Sequence, residues 1–480
     1  MRRRSLLLFA LLMIGARLGS AQRPTYDIVI ANGRVIDPET RLDAVRFVGI
    51  RGGKIAAISA TPLAGETTID AKGLVVAPGF IDLHAHGQDD ENYRVFALDG
   101  VTTALELEVG TEDVPAFYAK REGKSLINYG ASVGHVRERM VVMKDPSQSL
   151  LPTGSGGHQV ATEAEIAEIK LRIEAGLAAG ALGVGMGLQY TPAASKFEVL
   201  EAFRAAAKYR APVFVHVRSF GTRDPGSSVE SFMEVIAASA ISGAPLHIVH
   251  LNSMSLESTP KTLAIVKDAR AHGVDVTTEA YPYIAGMTEI SSALLDQYVD
   301  APDSMFSKLM LVTSGERLTR ATFTAARKAG GSVIMFLNTP EMEAMAITSP
   351  LTAIASDGLI SNGKGHPRTA GTNARVLGYY VRETKQLTLM DALRKMTLMP
   401  AQRLEKLAPM FLNKGRIKVG TDADIAVFDP ATVRDRSTYQ QPALASVGFR
   451  YVLVNGVPVV MDGAVRDKTF PGRGARGPIH

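Results

Sequence analysis

The chain has 480 residues, no cysteine and no tryptophan, and 46% of its residues are hydrophobic. That length accommodates one large domain and a smaller one, and that composition excludes a disulfide-built, collagen-like or disordered protein. The formal charge of +5 is no argument for a nucleic-acid partner, because the first segment carries most of it.

That segment, MRRRSLLLFALLMIGARLGSA over residues 1–21, has a basic start, an apolar middle and a small-residue end. This is the layout of a secretory signal peptide. Its apolar run, Leu6 to Ala16, falls short of the roughly 20 residues that span a bilayer. Cleavage is expected after Ala21. It removes Arg2, Arg3, Arg4 and Arg17 and no acid, so the formal charge falls from +5 to +1. The expected product is exported, periplasmic or secreted, with no stable membrane anchor and no lipidated cysteine.

Residues 22–77 alternate apolar and polar positions, and Asn32-Gly33 and Arg51-Gly52-Gly53 read as hairpin turns between strands. Residues 410–470 alternate again, with Asn455-Gly456 as a turn. The two ends are expected to meet in one small β-sandwich, and residues 471–480, PGRGARGPIH, to form a flexible tail. Between them, residues 78–409 interleave short β-branched runs with helical patterns such as TEAEIAEIKLRIEAGLAAG. Nine strand candidates serve about eight positions in a (β/α)₈ barrel, a TIM-type α/β fold. The ninth, SVIMFLN, follows an insertion of roughly Thr288–Gly330 and is the one expected to pair elsewhere.

Chemistry gathers at the ends of the strands. GFIDLHAHG puts His84 and His86 on one strand face, a spacing at which two imidazoles chelate one zinc ion. Alone this pair is also what two solvated loop histidines look like. VFVHVRS adds a late His216, and PLHIVHLNS adds His247 and His250, of which His250 is nearer the strand end. His247 is expected to be packed or solvated behind the sheet. TAIASDG ends in Asp357, where a carboxylate can bind metal and take a proton from water. Packing alone does not explain four late-strand histidines and a late-strand aspartate.

The chain here resembles the amidohydrolase superfamily, and within it the D-aminoacylases, or N-acyl-D-amino-acid deacylases. The resemblance runs from about Tyr26 to Val465 through PGFIDLHAH, GVTTALELEVG, GALGVGMGLQY, HVRSFG, HIVHLNS, YPYIAG, SDG and HPRTAGTNARVLGYYVRE. It implies a metal at His84, His86, His216 and His250, with Asp357 as acid and base. Three departures follow. The family's cysteine after the GVTT strand is replaced by ALELEVG, where Glu106 or Glu108 supplies an oxygen; Glu108, nearer the strand end, is preferred, and Glu106 is left to a substrate contact or a buried ion pair. A lysine usual after the sixth strand is Asn252, and the acid common after the HVR arginine is missing. A substrate carboxylate is therefore left to Arg218, Tyr190, Tyr283 and Arg368, an arginine fork suiting it best. His135 in SVGHVRERM is a candidate for a supporting or pocket role.

The resulting expectation is an exported amidohydrolase with one or two Zn²⁺ ions. It is expected to remove the acyl group from an N-acyl-amino acid of D configuration, releasing a carboxylic acid and a D-amino acid. A dipeptidase or cyclic-amide hydrolase is the enzymatic alternative. Against cyclic amides, the fourth strand, ALGVGMGL, lacks the lysine that becomes carboxylated in hydantoinases and dihydroorotases. A non-catalytic binding protein on the same scaffold is the other alternative. The partner is a small molecule, an N-acyl amino acid or peptide, and the oligomeric state is left open.

Overall fold

The structure, a computed structural model, describes residues 25–480. The signal segment lies outside the described residues. Among the described residues, no helix is long and apolar enough to cross a membrane.

Eight short parallel strands form the barrel: β1 (Phe80–Asp82), β2 (Val101–Thr111), β3 (Asn128–Gly134), β4 (Val184–Gly187), β5 (Val213–His216), β6 (Leu246–Ile248), β7 (Val276–Ala280) and β8 (Thr352–Ile354). They pair in sequence order from β1 to β8. The ring closes where Ala85 bridges to Gly358 and Gly87 N–H donates to the Gly358 carbonyl at 3.0 Å. The strands are buried along almost their whole length, as parallel strands covered by crossover helices must be. The helices begin on side-chain caps that take up free N–H groups. Asp89, Ser195 and Ser227 each accept from a backbone N–H three residues on, and Thr162 with Glu165 forms a reciprocal capping box. Ile81, Leu83, Phe214, Ala401, Leu404 and Phe411 pack together as one apolar cluster. Phe411, at the expected start of the C-terminal part of the small domain, packs into this cluster.

The two chain ends do combine. Strand Val75–Pro78 pairs antiparallel with Ile425–Phe428, which joins both ends into one nine-stranded sheet around Ile30, Val48, Ile69, Ile425 and Leu453. Gly79 links this sheet to β1. A Cβ there would lie 2.3 Å from the Thr102 side chain, so only glycine fits. Three local expectations need correction. Asn32-Gly33 is not a hairpin turn: Tyr26–Asp37 is one strand, and Asn32, at φ 61°, makes a bulge in its pairing. The insertion starts earlier than Thr288: Ala285–Glu289 and Leu309–Leu311 pair with Ser332–Phe336 in a separate three-stranded sheet. The last ten residues are not free. Gly474 bridges to Tyr129, Ala475 N–H donates to the Tyr129 carbonyl at 2.7 Å, and the Tyr118 hydroxyl donates to the Ala475 carbonyl at 2.6 Å. Glycines 472 and 474 permit this approach, since a Cβ on Gly472 would meet the Ile127 carbonyl at 2.1 Å.

Candidate metal centre

Each of six side chains arrives from the end of a barrel strand. His84 and His86 follow β1, Glu108 lies late in β2, His216 ends β5, His250 follows β6 and Asp357 follows β8. His250 and Asp357 have left-handed backbones, φ 70° and 52°. Such geometry is uncommon without glycine. After Asp357 the chain stays crowded: a Cβ on Gly358 would lie 2.7 Å from Ser356 Oγ.

The six converge in two overlapping groups. In one, ligand atoms of His84, His86, Glu108 and Asp357 all lie within 4.8 Å of one another; in the other, those of Glu108, His216 and His250 do. Glu108 belongs to both. Its Oε2 is 3.0 Å from His84 Nε2 and 3.1 Å from His86 Nε2, while its Oε1 is 2.7 Å from His216 Nδ1 and 3.6 Å from His250 Nε2. Asp357 Oδ1 lies 3.5 Å from His84 Nε2 and 3.3 Å from His86 Nε2, with Arg368 Nη2 donating to it at 2.8 Å. Imidazole and carboxylate donors in this number suit zinc, and a carboxylate shared between two donor groups suits one ion or two.

Behind the donors stand supporting residues, of which sequence reasoning missed Glu279 and Gln189. Glu279, late in β7, is buried, with Oε1 2.7 Å from His84 Nδ1 and Oε2 3.0 Å from His247 Nε2. A carboxylate only accepts, so His84 donates from Nδ1 to Glu279, which fixes the ring and turns Nε2 toward the cluster. Glu106 does the same for His86 Nδ1 at 2.7 Å, and Gln189 Oε1 faces His216 Nε2 at 2.8 Å. His247 is packed, but not behind the sheet: it extends the His84–Glu279 chain, with Nδ1 2.8 Å from Thr277 Oγ1. The signal for Glu279 was the one already used for Asp357, a carboxylate late in a strand.

The electrostatics follow from this excess of acid. Burial opposes a charge on His84, yet Asp357, Glu108 and Glu279 outweigh it and raise its pKa to about 10. Burial, together with His250, lowers that of His216 to about 4. Burial disfavours charge on Glu279, but His84 and His247 bring its pKa down to about 2. Asp357, also opposed by burial, is held below the ordinary carboxylate value by Arg368 and His84. The cluster is built to attract cations.

Two chambers open from it. One is lined by His216, His250, Tyr190, Tyr283, Asn252 and Asp357 among others, and the second by His86, Glu108, Tyr190, Asp357 and Arg368. Of the expected substrate contacts, Tyr190, Tyr283 and Arg368 are thus brought to the site. Arg368 lies 4.6 Å over the Tyr281 ring, and its buried Nε and Nη1 have no partner. Arg218 is not brought there. Its guanidinium is clamped on Glu234 at 2.7 and 3.0 Å and donates to the Pro192 carbonyl, so its fork is already filled. His135 is also elsewhere, in a buried set with Glu198, 2.8 Å away, and Arg139.

Residues 67–460 match the profile of the Amidohydrolase family. An N-acyl-D-glutamate deacylase from Alcaligenes xylosoxydans xylosoxydans is 34% identical over 482 residues, covering 90% of this chain and 93% of the relative. The crystal structure of N-acyl-D-glutamate deacylase from Bordetella bronchiseptica, complexed with zinc and a phosphonate mimic of the tetrahedral intermediate, has TM-score 0.81 and 28% identity, covering 94% of this chain and 100% of that one. A D-aminoacylase structure, studied for the role of its binuclear metal centre, has TM-score 0.78 and 25% identity over the same shares.

Proposed function

The chain belongs to the amidohydrolase family, and on that premise we propose that it hydrolyses the amide bond of an N-acyl-D-amino acid, releasing a carboxylic acid and a D-amino acid. One observation carries the reading: Glu108 stands between two donor groups at the barrel mouth, with Asp357 beside them. The donor set fits zinc, with His84, His86, His216, His250 and Glu108 holding one or two ions. Bound there, a zinc ion polarises an amide carbonyl and acidifies water.

This chain's own residues do the rest. Asp357 takes a proton from the attacking water and delivers it to the nitrogen of the departing amine. Its ionised state, secured by Arg368, readies it for the first transfer. Glu279 and Glu106 fix the ring orientation of His84 and His86. Arg368, in the wall of the second chamber, supplies positive charge for the substrate carboxylate, and Tyr190 and Tyr283 wall the substrate in. The donor set is complete, which a binding protein on a disused scaffold has no need to keep. Export through the N-terminal segment belongs to the same reading and places the mature start at Gln22.

The test is a panel of N-acetyl-D- and L-amino acids, D-dipeptides and hydantoins, assayed with zinc-loaded protein alongside its metal content. Hydrolysis of linear N-acyl-D-amino acids with zinc bound is expected. Turnover confined to hydantoins, or full turnover with no bound metal, would sink the proposal.

A further inference from the structure

Charge count in the two chambers says something about the substrate beyond its amide bond. The chambers hold about 510 and 470 Å³ of space, counting their open mouths, and share Tyr190, Met287, Thr288 and Asp357. Among the residues lining them there is one guanidinium or ammonium group, that of Arg368. Asn252 contributes no charge, and its amide N–H₂ already donates to the Tyr281 carbonyl at 3.0 Å. Arg218 is spent on Glu234. Arg368 itself donates from Nη2 to Asp357, and its Nε and Nη1 are buried without a partner. One guanidinium, already shared with Asp357, leaves no cation for a second carboxylate.

The first chamber is also apolar where it leaves the metal cluster. Phe220, Met254, Leu256, Met287, Met335 and Leu337 form its wall. Met287 and Met335 come from the inserted three-stranded sheet, where Gly286 and Met335 are paired residues. Thioethers and branched carbons there stabilise an apolar group by removing its surface from water, at about 25 cal/mol per Å². A carboxylate placed against the same wall loses its water and gains no partner.

We infer that the site takes N-acyl-amino acids with one carboxylate, whose remaining substituent on the chamber side is apolar, and that it discriminates against a second carboxylate such as that of glutamate or aspartate. The inference rests on the proposed amide hydrolysis and adds to it the substrate class. The apolar substituent comes from the amino-acid side chain or from the acyl tail, and the two sources are separable by assay.

The experiment uses the zinc-loaded wild-type protein and four amides: N-acetyl-D-alanine, N-acetyl-D-leucine, N-hexanoyl-D-alanine and N-acetyl-D-glutamate. Relative to N-acetyl-D-alanine, kcat/KM is expected to rise for the leucine compound if the side chain fills the chamber, or for the hexanoyl compound if the acyl tail does. N-acetyl-D-glutamate is expected to fall below the better of these by roughly 100-fold or more. Equal or faster cleavage of the glutamate compound overturns the inference and leaves amide hydrolysis standing. No gain from either apolar extension also overturns it. If no amide is cleaved, the hydrolytic proposal fails by itself. Calorimetric binding of the same four compounds then decides the inference, with tighter binding of an apolar compound supporting it and equal or tighter binding of the glutamate compound overturning it.

Discussion

Asp357 and His250 hold backbone conformations that cost about 1–3 kcal/mol each for a residue with a side chain, and both turn their side chains into the same cluster. In Asp357 the strain aims the carboxylate that the proposed mechanism uses twice per turnover. Asp357→Asn keeps the shape but cannot accept a proton, so kcat is expected to fall by about 10²–10⁴-fold while zinc stays bound through the histidines and Glu108. A near-normal kcat measured on folded, zinc-loaded variant would reduce Asp357 to a loop cap. Glu108 is the shared donor and Glu106 the support of His86. Glu108→Ala is therefore expected to empty the site of metal more completely than Glu106→Ala, as read by metal analysis, and the reverse order would exchange their roles. Glu279 lines neither chamber and bonds to His84, so it is expected to act through that ring. Glu279→Gln should weaken zinc binding by about 10–100-fold in a chelator competition. A merely structural Glu279 would instead lower Tm and leave the zinc affinity of the folded protein unchanged, and Glu279→Asp is expected to restore part of the affinity.

Among the elements, the tail was the least legible in sequence. Its glycines and arginines read as flexible, because nothing in local composition announces that a segment will lie along another chain. What the glycines provide is close approach: residues 472–477 bond to Ser125, Tyr129 and Gly180, and Arg476 lies 3.9 Å over the Tyr118 ring. Deleting residues 472–480 should uncover Tyr118, Tyr129 and the ends of β2 to β4, and lower Tm with kcat per folded molecule preserved. An unchanged Tm would show that the contact contributes nothing. The barrel itself was legible because most of its strands are short apolar runs followed by a helical pattern, and the donor candidates stood out because each lies late in, or just after, such a run. Glu279 sits in the same position within VDVTTEAYPY, yet a lone glutamate there has no neighbouring motif to set it apart. Gln189 and the filled fork of Arg218 depend on partners far apart in sequence, Glu234 lying on the next helix. Asn32-Gly33 failed for the opposite reason: a local turn signal was absorbed as a bulge, since the pairing of Tyr26–Asp37 along its whole length outweighs it.

Over the whole molecule, a metal held in the proposed cluster is expected to act as a fastening as well. Its donors come from β1, β2, β5, β6 and β8, three strands in each of the two groups, so cations held in both would tie together five of the eight strands. The seam between β1 and β8 is the thinnest part of the ring, held by the Ala85–Gly358 bridge and by Asp82 Oδ1, which accepts from the Ser356 and His84 N–H groups at 3.0 Å each. His84, His86 and Asp357 stand on either side of that seam. A ligand that binds only the folded chain stabilises it by RT ln(1 + [L]/Kd), about 2.7 kcal/mol at 100 times Kd. Chelation should therefore lower Tm, speed hydrogen exchange at the β1 and β8 amides first, and be reversed by added zinc. The double variant His84→Ala/His86→Ala separates fastening from general loss of metal. It removes the two donors of β1, so its Tm is expected to lie near that of the chelated wild type and to respond little to zinc. If the wild type kept its Tm and its β1 exchange rates after verified loss of metal, the barrel would owe nothing to the site, and the buried carboxylates would have to be balanced by Arg368 and by protons on His84 and His86.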